Sequence, residues 1–157
     1  MLKKLFAIAA VLFLAACSSR MSGETTTVCT DAPSTQISIA DTVVTIEGMD
    51  ENILTWTERM SLGRSDYAHY FFGMELEDEE IQEIFDTLEQ TMASSGMSWH
   101  LISLDDDTIV VEFVYDYEEM STNDLNEIWE VDDFEREVTL SAAIAGLEYE
   151  AATCTTD

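Results

Sequence analysis

Between Ile53 and Leu62 the chain alternates apolar and polar side chains, and this pattern restricts the fold more than any other stretch. Successive side chains of an extended strand point to opposite faces. Leu54, Trp56, Met60 and Leu62 therefore share one face, and Thr55, Thr57, Arg59 and Ser61 share the other. Such a strand belongs to a sheet with one face on a core and the other toward water. Glu58 breaks the rule by falling on the apolar face. It must lie at the sheet's edge, pair with an arginine, or be a buried carboxylate with a functional part.

The neighbouring segments fit the same sheet. Val43, Val44, Thr45 and Ile46 are β-branched and predict a strand over 42–47, followed by a loop at Gly48–Asn52. Trp99–Leu104 and Thr108–Tyr117 read as a hairpin around Asp105, Asp106 and Asp107. The aspartates lack the alternating spacing, central glycine and distal glutamate of an EF-hand loop, so they read as turn residues.

Asp78–Ser95 carries Ile81, Ile84, Phe85, Leu88 and Met92 on one helical stripe, with Asp78, Glu79 and Glu80 in the first turn and Gly96 beyond the end. A short helix capped by Ser121 presents Leu125, Ile128 and Trp129. A last helix, Leu140–Tyr149, has Thr139 as N-cap and Leu140, Ile144 and Leu147 inward. Gly146 inside it costs about 1 kcal/mol relative to alanine, which suggests close approach of a neighbouring element. Ala151–Cys154 could add a short strand. The fold class predicted is α+β: an antiparallel sheet of four to five strands, two to three helices on one face, and the order β-β-α-β-β-α-α.

Gly63–Asp66 interrupts the strand pattern, and Tyr67, Tyr70, Phe71 and Phe72 follow with aromatics on both sides. This segment is either core or an exposed patch, and these four residues are the candidate surface for an unknown protein or small-molecule partner. Catalysis needs a nucleophile with its base, or paired carboxylates in a cleft. Only His69 and His100 are available as imidazoles, and nothing in the spacing selects a pair among 33 carboxylates. No catalytic residue, metal site or cofactor is assigned. An envelope enzyme with an unrecognised site, or weak cation capture by the acidic surface, are the alternatives to a non-catalytic binding or structural module.

The N-terminus settles the expected address. Lys3 and Lys4 precede an apolar run, Leu5–Leu14, and then small residues, the layout of a secretory signal peptide over 1–16. The run falls short of the roughly 20 apolar residues that a membrane-spanning helix needs. Leu14-Ala15-Ala16-Cys17 resembles the lipobox of bacterial lipoproteins. The resemblance implies cleavage before Cys17, a diacylglycerol on its thiol, and a domain tethered by acyl chains alone. Ser18 in place of Asp after the cysteine implies the outer membrane in a diderm source, and otherwise the outer face of the cell membrane. Residues 18–27, polar and without periodicity, read as a flexible tether, and 28–157 as one domain; Pro33 marks a turn near its start.

If Cys17 carries lipid, Cys29 and Cys154 are the only pair left, and an exported domain meets an oxidising compartment. Closing a loop of about 126 residues is worth on the order of 4.7 kcal/mol in the chain-entropy account. Two free thiols remain the alternative; a metal pair has no further ligand at a suitable spacing.

Both lysines lie in the signal peptide, so the remainder sets four arginines, Arg20, Arg59, Arg64 and Arg136, against all 33 carboxylates. Such a surface repels nucleic acid and anionic headgroups. It leaves the N-terminal lipid as the sole membrane contact, and a monomer is expected. Adaptation to salt, which screens self-repulsion, is one reading of the charge, and a solvated surface is the other.

Thr42–Leu62 and Val138–Cys154, together with the lipobox, resemble the YehR-like family of small bacterial lipoproteins. The resemblance implies a lipid-anchored envelope protein and transfers no catalytic residue. The absence of lysine after the signal peptide departs from lysine-rich relatives and argues against a role that needs basic side chains.

Overall fold

The computed structural model describes residues 23–37, 40–73, 76–92 and 95–157, apart from the side chains of Tyr70 and Phe71. The stretch expected to be a signal peptide, Cys17 in the lipobox-like sequence and residues 18–22 of the expected tether lie outside the described residues. The strands are β1 (Glu24–Thr30), β2 (Asp41–Met49), β3 (Asn52–Gly63), β4 (Met97–Leu104), β5 (Thr108–Asp116) and β6 (Thr153–Thr156). The helices are α1 (Arg64–Phe72), α2 (Asp78–Met92), α3 (Thr122–Trp129), α4 (Phe134–Glu137) and α5 (Leu140–Tyr149). The strands form one antiparallel sheet in the order β4-β5-β3-β2-β1-β6.

The α+β class and the antiparallel sheet agree with the sequence reading, but the described residues hold six strands and five helices rather than four to five and two to three. The extra strand is β1. Its residues Glu24–Thr27 were assigned to the tether because they lack apolar periodicity, yet β-branched threonines suit a pleated surface, and Thr27 and Cys29 are both fully buried. The extra helices are α4, a single turn, and α1, into which the aromatic segment folds. Aromatic side chains favour strands, and this segment has no clean apolar stripe, so composition misleads. The legible signals are Gly63 as N-cap, Asp66 in the first turn, and Gly73 in the left-handed C-terminal position, φ 68°.

β3 alternates as expected from Trp56 onward, with Trp56, Glu58, Met60 and Leu62 buried. At its start the faces exchange: Ile53 is buried and Leu54 is not. Glu47 pairs with Thr55 and Gly48 with Ile53, so Leu54 is the extra residue of a bulge. Gly48 is required there. A Cβ at this position would lie 2.6 Å from Leu140 Cδ2 and 2.9 Å from the Asn52 carbonyl.

The buried face of the sheet carries Val44 and Ile46 of β2, Trp56 and Met60 of β3, and Val111, Phe113 and Tyr115 of β5. Rings join it to the helices. Tyr67 of α1 stacks on Phe85 of α2, Phe85 meets Trp99 of β4, and Trp56 and Tyr117 meet Trp129 of α3. The stripe of α2 packs as the spacing predicts, over a helix described from Asp78 to Met92. Ser121 and Thr139 cap α3 and α5, accepting hydrogen bonds from the backbone N–H of Asp124 and Ala142 at 3.2 Å. In the β4–β5 turn Asp105 Oδ1 accepts from the N–H groups of Asp107 and Thr108, which is turn chemistry.

Candidate functional site

Glu58 lies on β3, a central strand between β2 and β5, with 0% exposure. Neither an edge position nor an arginine accounts for it. Arg59, one residue on, points to the opposite face and binds Glu112 with Nε and Nη2 at 3.1 and 2.7 Å. The Glu58 carboxylate is satisfied by neutral donors instead. Oε1 accepts from Thr35 Oγ1 at 2.6 Å and Trp56 Nε1 at 3.1 Å; Oε2 accepts from the Thr35 N–H at 3.0 Å and Ser34 Oγ at 3.1 Å.

Three of these donors come from the connection between β1 and β2, which is thereby held over the buried face of the sheet. Ser34 Oγ also accepts from the N–H groups of Gln36 and Ile37, and Gln36 Nε2 donates to Tyr115 Oη at 2.9 Å. Burial raises the Glu58 pKa above the usual carboxylate range, and the bonds from Thr35, Trp56 and Ser34 oppose that shift without cancelling it. Burial and the nearby Glu58 charge push Tyr115 up to about 12. Tyr117, whose hydroxyl accepts from Trp129 Nε1 at 3.1 Å, is pushed well above the usual tyrosine range, mainly by burial. A carboxylate so enclosed is a fastener. It cannot reach a substrate proton without the connection moving away.

On the other face of the sheet a groove of about 460 Å³ runs beside the ends of β1 and β2, lined in part by Thr30, Asp41, Val43, Arg59, Ser61 and Val110. Arg59 is the one cation in that lining, and it is already paired with Glu112. The groove has room for a small polar ligand.

Of the candidate partner residues, Tyr67 does not lie at the surface. Tyr67 is 3% exposed and packs on Phe85, so it is a core residue; burial pushes its pKa up to about 12. Phe72 is 42% exposed, and the side chains of Tyr70 and Phe71 lie outside the described residues. His69 is exposed, while His100 contacts Ser98 Oγ at 2.9 Å and Glu89 at 3.4 Å. Among the described residues no group of three metal-binding side chains converges. Cys29 and Cys154 are bonded, directly opposite each other on β1 and β6.

No family profile matches the sequence, and no curated protein matches it. Solved structures do. The solution structure of Escherichia coli YehR aligns with a TM-score of 0.55 at 11% identity, over 86% of this chain and 92% of that one. A solution structure from Streptococcus pneumoniae TIGR4 aligns with a TM-score of 0.54 at 13% identity, over 88% of each. The chain has a YehR-like fold. At such identities the likeness is one of architecture, the arrangement of sheet and helices.

Proposed function

We propose that this is a lipid-anchored extracytoplasmic module that binds a ligand or partner without chemistry of its own. The observation that carries the reading is the Cys29–Cys154 disulfide. Disulfides persist in oxidising compartments, and this one consumes every cysteine except Cys17, the residue at the lipobox position. Export and lipidation account for both. The YehR-like fold supports the same address through the family that the lipobox and two further stretches resemble. The sealed Glu58 and the solvated carboxylates support binding over catalysis, with the groove beside Arg59 as the place for a ligand.

Expression of the full chain in a lipoprotein-processing bacterium tests the reading. Intact-mass analysis should show loss of residues 1–16 and acyl mass on Cys17, with the protein in the membrane fraction; Cys17→Ala should be recovered without acyl chains and away from membranes. A native product with a bare Cys17 thiol would end the proposal.

A further inference from the structure

If Cys17 carries the lipid, the point at which the chain joins the sheet decides how the domain stands on the membrane. The join is early. β1 begins at Glu24, and Gly23 is clamped to the β2–β3 turn by two hydrogen bonds: its N–H donates to Asp50 Oδ1 at 2.8 Å, and its carbonyl accepts from the Asp50 N–H at 2.9 Å. Six residue steps separate Cys17 from Gly23, and at full extension they reach only about 20 Å. The strands are longer than that. β3, with 12 residues, runs from the β2–β3 turn to the opposite end of the sheet, on the order of 40 Å away.

We propose that the short link from Cys17 to Gly23 holds the β2–β3 turn end of the sheet toward the bilayer and the opposite end away from it. The near end carries the Asp50 turn, residues 118–120 after β5, and the C-terminus, whose Asp157 N–H donates to the Thr26 carbonyl at 3.0 Å. The far end carries the connection after β1, the Asp105–Asp107 turn and the start of α1, which joins that turn through the Arg64 N–H and the Asp107 carbonyl at 3.0 Å. The groove beside Thr30, Asp41 and Arg59 belongs to the far half and opens from the face of the sheet, at a distance from the membrane. Exposed carboxylates lie at both ends and on the flanks, Asp50 and Glu118 as well as Glu83 and Glu89, so the reach of the link and not charge sets the orientation. The occupant of the near end is thus a lipid surface, approached through the anchor.

This inference rests on the lipoprotein reading, and one experiment separates the two. The full lipidated chain is placed in phosphatidylcholine–phosphatidylglycerol vesicles carrying a headgroup energy-transfer acceptor. A donor is attached at Glu118→Cys or at Asp106→Cys; with Cys29–Cys154 oxidised and Cys17 acylated, the introduced thiol alone reacts. Transfer from position 118 should exceed transfer from position 106 several-fold. Twenty Gly/Ser residues inserted after Arg20 should bring the two close to equality. Equal transfer in the native chain, a larger value at 106, or a difference unchanged by the insertion would overturn the orientation while leaving the lipoprotein reading intact. A chain that carries no acyl group and does not associate with vesicles sinks both.

Discussion

Four hydrogen bonds converge on the Glu58 carboxylate, and they explain how a charged residue sits at the centre of an apolar face. Leaving buried donors unmade costs about 1–3 kcal/mol each. Glu58→Gln brings an amide N–H₂ against Trp56 Nε1–H or the Thr35 N–H, neither of which can accept, so we expect a loss of about 1–3 kcal/mol in urea denaturation at neutral pH. The pH dependence has a definite sign. Because the folded state raises the Glu58 pKa from 4.5, it binds this proton more tightly than the unfolded chain does. The contribution is fully present below pH 4.5 and fades as pH rises through the folded value. Wild type should therefore gain on Glu58→Gln as pH falls from 7.5 to 4.5, a comparison in which the other carboxylates cancel. A gap that is constant or narrows on acidification would count against the assignment. At Gly48 the constraint is steric: Leu140 can shift, but the Asn52 carbonyl is backbone. Gly48→Ala should cost about 1–3 kcal/mol through overpacking, read from the same denaturation curves.

Among the elements, β6 depends most on a single bond. It has four residues at the sheet's edge, pairing only with β1, and Cys154 fastens it to Cys29 across a sequence separation of 125. Removing that closure should lower stability by on the order of 4.7 kcal/mol, the chain-entropy value for loops of this size. The melting temperature of Cys29→Ser/Cys154→Ser against oxidised wild type is the measurement; indistinguishable curves would show that β6 holds by pairing alone. α1 makes the complementary case. Its end is set by Gly73 in the left-handed conformation, with no described atom within 4 Å of an added Cβ. Gly73→Ala should therefore cost about 1 kcal/mol from backbone conformation alone.

For the whole molecule the dominant quantity is charge, −27 over 157 residues. Carboxylates crowd every flank, and screening over a Debye length of about 10 Å at 0.1 M salt relieves their repulsion. The melting temperature of the purified domain should rise between low and molar NaCl; a flat response removes salt adaptation as a reading of this composition.

Local pattern was enough for elements whose cause is local. The α2 stripe from Ile81 to Met92, the caps Ser121 and Thr139, the Asp105 turn and the alternation after Trp56 follow from side-chain periodicity and nearest-neighbour hydrogen bonding, which a linear chain displays. The Cys29–Cys154 pairing was legible as one of two outcomes, by counting. Other features depend on contacts between residues far apart in sequence. Glu58 was visible only as an anomaly, since its donors on Ser34 and Thr35 reach it when the connection after β1 folds over the sheet. The threonines of β1 become a strand because β2 and β6 lie on either side, and the aromatics of α1 become a helix because Tyr67 finds Phe85. Periodicity, capping and cysteine number are properties of the chain itself and determined the α+β class and the expected address. Burial and pairing partners arise only when distant segments meet, so the tertiary structure alone decided the Glu58 fastening, the groove, and the clamp between Gly23 and the β2–β3 turn.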